Sequence, residues 1–252
     1  MSPLRTVFLF ASLVSTSSFA DESLTVAVAS NFQVTANEIA TEFTATTKIP
    51  VRISSGSTGK LYAQIVNGAP YDVFLAADSA RPKLLEEAGV AVEGSRITYA
   101  TGALVLWSAD SALKNKDCLA ALKSGSYRRL AIANPLTAPY GLAAKEFLHA
   151  IGRYDEAEGR IAYGENISQT LQFVVTGNAT LGLIAMSQVK SRLPVTASCS
   201  WNVPPTMHLA LNQQAVLLSG SGNADAARKF MDFLQTTQVA MILEHRGYTV
   251  PE

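Results

Sequence analysis

The sequence predicts an α/β protein of two lobes, each a mostly parallel sheet flanked by helices, joined by two crossing strands. Three observations predict it. Short apolar runs alternate with stretches whose apolar residues recur at helical spacing. The alternation occurs as two series, one before and one after "GALVLWS" (102–108). The chain has 252 residues and is 48% apolar, enough for two modest cores and too apolar for disorder.

The elements follow in order. "LTVAVAS" from Leu24 reads as a strand, and "NFQVTANEIATEFTATT" as a helix with Phe32, Ala36, Ile39, Ala40 and Phe43 on one face. "VRIS" (51–54) is the second strand. The next helix carries Leu61, Ile65 and Val66 as its apolar stripe and is stopped by "NGAP" (67–70). "YDVFLAA" (71–77) is a strand, and "DSARPKLLEEAG" a helix capped by Asp78 or Ser79, with Pro82 in its first turn and Gly89 at its end. In the second series "RLAIANP" (129–135), "RIAYG" (160–164) and "TLGLIAM" (180–186) read as strands, with helices at 140–152 and 167–177 between them. "TMHLALNQQAVLL" (206–218) reads as a strand, and 224–247 as one long or two broken helices returning to the first lobe. No Pro/Gly-rich linker separates the series, so the crossings are placed at 101–107 and 207–213. The first lobe is then 21–103 with 210–252, and the second 104–209.

Charge and targeting narrow the function classes. Lys+Arg and Asp+Glu both number 20, without the basic excess of a nucleic-acid binder. Residues 1–20 read as a signal peptide: one arginine in "MSPLR", an apolar "TVFLFASLV" too short to span a bilayer, and Ser18 and Ala20 at the cleavage positions, with the cut before Asp21. Export follows. Export makes a disulfide between Cys118 and Cys199 a candidate, with two free buried thiols as the alternative. Two distant cysteines and no clustered histidines give no structural zinc site.

The loop "SSGSTGK" (54–60) admits three chemistries. A nucleotide P-loop fits Gly59 and Lys60 but fails at Ser54, which replaces the first glycine, and at Leu61, which replaces the hydroxyl. A serine hydrolase would use Ser57 with His149, His208 or His245, but Ser55 replaces the first glycine of the nucleophile elbow. His149 lies inside a helix pattern, His245 near a helix end and His208 at a strand start. This reading is the enzyme-class alternative. The third chemistry, a non-covalent oxyanion site, has the most support. Helix starts present unpaired N–H groups and partial positive charge, and serine and threonine add hydroxyl donors. Ser30 and Asn31 begin one helix, and Ser57 and Thr58 another, each beyond the carboxyl end of a strand. The second lobe adds the backbone N–H groups of Tyr140 and Ile167 at two more helix starts. Each of these residues also has a purely local reading, as a cap or a packing side chain.

The stretches "AVASNF", "ISSGSTGKLYAQIVNGAPYDVFLAADS", "NPLTAPYGLAAKEFL" and "GENISQTLQFVVTGNATLGLIAMSQV" resemble the periplasmic molybdate-binding proteins of ABC transporters, and the resemblance runs from about Leu24 to the C-terminus. It implies a periplasmic destination and a type 2 periplasmic-binding fold that encloses molybdate or tungstate between its lobes. It also implies no cofactor, no metal-cation ligands, no turnover, and delivery to a membrane permease driven by a cytoplasmic ATPase. A monomer that binds no nucleic acid is expected. By matching motif, Ser30 stands at an oxyanion-binding serine or threonine, Asn31 at an asparagine used by a subset, and Thr58 at a serine hydroxyl. Tyr140 and Ile167 stand at backbone N–H donors. Some members add a tyrosine from the strand before the "SQV" helix. Here that position is Ala185, a departure that points to the subset relying on Asn31.

Overall fold

The computed structural model describes residues 23–191 and 196–251. The segment read as a signal peptide, with its cut before Asp21, lies outside the described residues. The chain begins with β1 (Leu24–Ala29), which runs through a 3₁₀ turn (Ser30–Phe32) into α1 (Gln33–Thr47). Then come β2 (Val51–Gly56), α2 (Thr58–Val66), β3 (Val73–Ala76), α3 (Ala80–Glu87) and β4 (Ile97–Gly102). A second run holds β5 (Leu104–Ser108), α4 (Cys118–Lys123), β6 (Leu130–Ala133), α5 (Pro139–Ala150), α6 (Tyr154–Glu158) and β7 (Ile161–Gly164). It continues with α7 (Ile167–Val175), β8 (Leu181–Ala185), α8 (Met186–Lys190) and β9 (Cys199–Asn202). The chain then returns through β10 (Leu211–Leu217) to α9 (Ala224–Phe233) and α10 (Thr237–His245).

These strands form two five-stranded sheets, in the orders β2-β1-β3-β10-β4 and β7-β6-β8-β5-β9. The α/β, two-lobed expectation holds, with one refinement. β1 runs parallel to β2 and β3, and β6 to β7 and β8, but β10 is antiparallel to β3 and β4, and β5 to β8 and β9. Half of each sheet is antiparallel because the strands next to the crossings enter from the opposite lobe.

Sheet centres read clearly in the sequence because helices cover both of their faces, which favours continuous apolar runs. β3, β5, β6 and β8 are buried throughout. The face of the first sheet under α1 packs Phe43 against Phe230 at 5.2 Å between ring centroids, and Leu234, Val239 and Leu243 join the same cluster. α9 and α10 are therefore part of the first core. Each such buried side chain contributes roughly 1.5–3 kcal/mol.

The register positions the site. Ala29 pairs with Gly56 in parallel, so Ser30 and Ser57 leave the sheet side by side. Ala133 pairs with Gly164, so the loops leading to α5 and α7 also emerge together.

Several expectations are corrected. β4, β9, α4 and α6 were not read from the sequence, and α8 entered only as the "SQV" helix of the family resemblance. Val66 is exposed, so Leu61 and Ile65 alone anchor α2. The strand read at 206–218 begins only at Leu211; Pro204 lacks an N–H for a ladder, and Pro205–Met207 form a 3₁₀ turn. His208 therefore lies before the strand. The C-terminal helix is two helices, broken where Thr236 caps α10 by accepting from the Val239 N–H at 3.4 Å. Ser79 stands before α3 without a side-chain cap, while Asp78 Oδ1 accepts from the Arg81 N–H at 2.9 Å. Cys118 and Cys199 are joined in a disulfide that ties the start of α4 to β9.

Candidate functional site

Four helix starts meet between the two sheets. They enclose a cavity lined by Ala29, Ser30, Asn31, Ser57, Thr58, Ala77, Ala138, Pro139, Tyr140 and Ile167. Ser30, Asn31, Ser57, Thr58, Tyr140 and Ile167, the six candidate oxyanion donors, all lie on this lining, and none of the ten side chains ionises near neutral pH. The centre of a water-sized sphere has about 10 Å³ in which to move. That is room on the scale of one small ion, far from the roughly 300–1,000 Å³ of an organic-ligand pocket.

Local capping explains which donors are left for the cavity. An α-helix leaves its first N–H groups without intrahelical partners. At α7, Asn166 Oδ1 takes the N–H groups of Ser168 and Gln169 at 3.0 and 3.1 Å but not that of the preceding Ile167, a residue of the lining. At α5, Pro139 has no N–H, so Tyr140 is the first donor. At α2, the Gly59 N–H bonds the Thr137 carbonyl at 2.8 Å, and the Thr58 N–H is left. Thr58 Oγ1 accepts from the Ala77 N–H at 3.2 Å, which leaves its own proton free to donate. Neither Ser57 nor Ser30 caps its helix start, so the local reading of these serines does not hold. Ser57 Oγ is buried and has no hydrogen-bond partner.

Asn31 lines the cavity, but its side chain turns into the first lobe. Its amide donates to Gln213 Oε1 at 2.8 Å and to the Tyr248 hydroxyl at 3.1 Å, and the Tyr248 hydroxyl returns a bond to the Asn31 carbonyl at 3.0 Å. Both side-chain protons are thus engaged inside the first lobe, and its backbone N–H is the donor left at the cavity. Burial pushes the Tyr140, Tyr99 and Tyr248 hydroxyls far above the ordinary phenol range; the neighbouring Tyr248 hydroxyl adds to this at Tyr99 and Tyr140, while hydrogen bonds offset part of it at Tyr248, and all three stay neutral. Ala185, at the end of β8, is off the lining; its N–H is taken by Gln188 Oε1 at 3.0 Å.

The lobes are in contact around the cavity. Besides Gly59 to Thr137, the Ser187 hydroxyl donates to the Asn31 carbonyl at 2.9 Å and the Ser168 hydroxyl to the Ser30 carbonyl at 3.3 Å. Lys60 pairs with Glu165, and Arg81 pairs with Asp78 and reaches the Leu136 carbonyl at 3.3 Å. These charges are spent on ion pairs at the rim, and neither Lys60 nor Arg81 lines the cavity. The hydrolase geometry is absent. His149 stacks on Tyr154 at 4.3 Å, His208 Nδ1 bonds the Leu209 carbonyl at 2.8 Å, His245 ends α10, and none lines the cavity with Ser57. Among the described residues no cluster of His, Cys, Asp or Glu is arranged to hold a metal ion, and no helix is long and apolar enough to cross a membrane.

Comparison with known proteins agrees with this arrangement. Residues 24–249 match the family model described as bacterial extracellular solute-binding protein. The molybdate-binding protein ModA of Azotobacter vinelandii is 43% identical over 223 residues, 88% of each chain. ModA of Rhodobacter capsulatus is 43% identical over 222 residues, 88% of this chain and 86% of that one. The solved structure of the Azotobacter vinelandii periplasmic molybdate-binding protein superposes with a TM-score of 0.85 at 37% identity, covering 91% of this chain and all of that one. The chain belongs to the bacterial extracellular solute-binding protein family that includes these ModA relatives.

Proposed function

We propose that the chain captures molybdate, or tungstate, between its two lobes in the periplasm and delivers it as a monomer to a membrane permease powered by a cytoplasmic ATPase. Residues 21–103 with 210–252 form one jaw of the clamp and 104–209 the other. The ligand is bound and released unchanged, without turnover and without a cofactor. The observation that carries the reading is an ion-sized cavity between the lobes whose polar lining is entirely neutral.

Ser30, Asn31 and Thr58 donate from the first lobe, and the backbone N–H groups of Tyr140 and Ile167 from the second. Desolvating an unpaired dianion is very costly; charge-assisted hydrogen bonds and the positive ends of α2, α5 and α7 offset that cost. A donor-rich lining favours a fully deprotonated anion. Hydrogen phosphate brings a proton for which no carboxylate is at hand. Sulfate passes that filter as well, so its rejection rests on cavity size, the smaller tetrahedron being held by fewer of the donors.

Isothermal titration calorimetry with molybdate, tungstate, sulfate and phosphate tests the reading. Tight binding of the first two, undiminished by excess sulfate, is expected. No heat with molybdate, or ester hydrolysis that disappears in Ser57→Ala, contradicts it.

A further inference from the structure

Ser57 occupies the N-cap position of α2 with an extended backbone, φ −70° and ψ 143°. A serine in that position ordinarily accepts from the N–H of the second or third helical residue. Ser57 does not. The second N–H, that of Gly59, instead crosses the cleft to the Thr137 carbonyl at 2.8 Å. The approach needs glycine: a β-carbon on Gly59 would lie 2.9 Å from that oxygen. Ser57 is left 3% exposed on the cavity lining, its hydroxyl without a partner. A buried hydroxyl in that condition destabilises the fold unless something else takes its bond.

We propose that the Ser57 hydroxyl is a further donor to the bound oxyanion, released for that role by the Gly59–Thr137 bond made as the lobes close. The inference rests on the molybdate reading and adds to it a side chain that the sequence resemblance leaves unassigned. When the lobes part, the Gly59 N–H loses Thr137 and returns to the Ser57 hydroxyl, which then serves as an ordinary cap. One hydroxyl alternates between helix and ligand, and the start of α2 stays satisfied in both states.

Two variants separate ligand binding from capping, because glycine is tolerated at an N-cap far better than alanine. Molybdate titrations of the full chain are expected to show Ser57→Ala and Ser57→Gly weakened alike, by about 10- to 100-fold, the range for losing a hydrogen bond to a charged group. Ser57→Gly binding like the unaltered chain overturns the inference and leaves Ser57 a helix cap, whatever Ser57→Ala does. Failure of the unaltered chain to take molybdate overturns the transport reading and this inference together.

Discussion

Thr58 joins the two roles that the cavity asks of a hydroxyl: its oxygen accepts from the Ala77 N–H, and its proton is left over. Thr58→Val keeps the shape and removes both. Molybdate affinity is expected to fall at least about tenfold in calorimetry, and stability by about 1–3 kcal/mol in denaturant unfolding, because the Ala77 N–H loses its partner. Unaltered affinity rejects Thr58 as a donor. No lining side chain titrates near neutrality, and burial holds Tyr140 neutral well beyond that range. Affinity is therefore expected to stay flat between about pH 6 and 9, away from the ordinary carboxylate and phenol ranges; a step in a pH series of titrations reveals an ionising group at the ligand. At this scale, helix starts after strands were legible from hydroxyls and from Pro139. The inward turn of the Asn31 amide was not, because its partners Gln213 and Tyr248 lie 182 and 217 residues away. Ser57 was legible as a cap, a nucleophile or an oxyanion donor, and the choice among them was not, since the Gly59–Thr137 bond that decides it is a contact between lobes.

Among the elements, the crossing from β4 to β5 is the one tied most directly to the site. Gly102 ends β4, and a β-carbon there would collide with the Tyr140 hydroxyl and come within 3.2 Å of Gln213 Nε2. Tyr140 thus presents its N–H to the cavity and wedges its ring against the crossing, with its hydroxyl buried and unpartnered. Gly102→Ala is expected to disfavour the closed arrangement and weaken molybdate binding by about tenfold or more, through the population of closed protein. Adding Tyr140→Phe removes the colliding oxygen and is expected to restore part of the affinity; no recovery in the double variant rejects the wedge. Central strands were legible because their burial on both faces leaves continuous apolar runs. β4 and β9 were not, since an exposed or half-exposed strand beside a crossing has no such run. The short helices α4, α6 and α8, five or six residues each, fall below the length at which helical spacing shows, and α8 was visible only through the family resemblance.

Over the whole molecule, two kinds of stabilisation are expected to separate. The Cys118–Cys199 disulfide closes a loop with a sequence separation of 81, for which the chain-entropy model gives about 4.5 kcal/mol. Both cysteines are off the cavity lining. Replacing both by serine is expected to lower the thermal midpoint with little change in molybdate affinity; loss of affinity in a folded variant shows that the disulfide shapes the cleft. Ligand acts by mass action instead, and molybdate at roughly 100 times its dissociation constant adds about 2.7 kcal/mol. The two-lobed plan was legible from the alternation of elements, and the return of α9 and α10 from their apolar faces. The antiparallel halves of the sheets were not, because strand direction next to a crossing depends on how the lobes are joined.

A crystal structure of the chain with molybdate, with the metal centre located by anomalous scattering, tests the neutral-donor clamp most directly. The centre is expected among Ser30, Thr58, Tyr140 and Ile167, with every contact to its oxygens made by a hydroxyl or an N–H. A centre elsewhere, or one gripped by the ammonium of Lys60 or the guanidinium of Arg81, contradicts it.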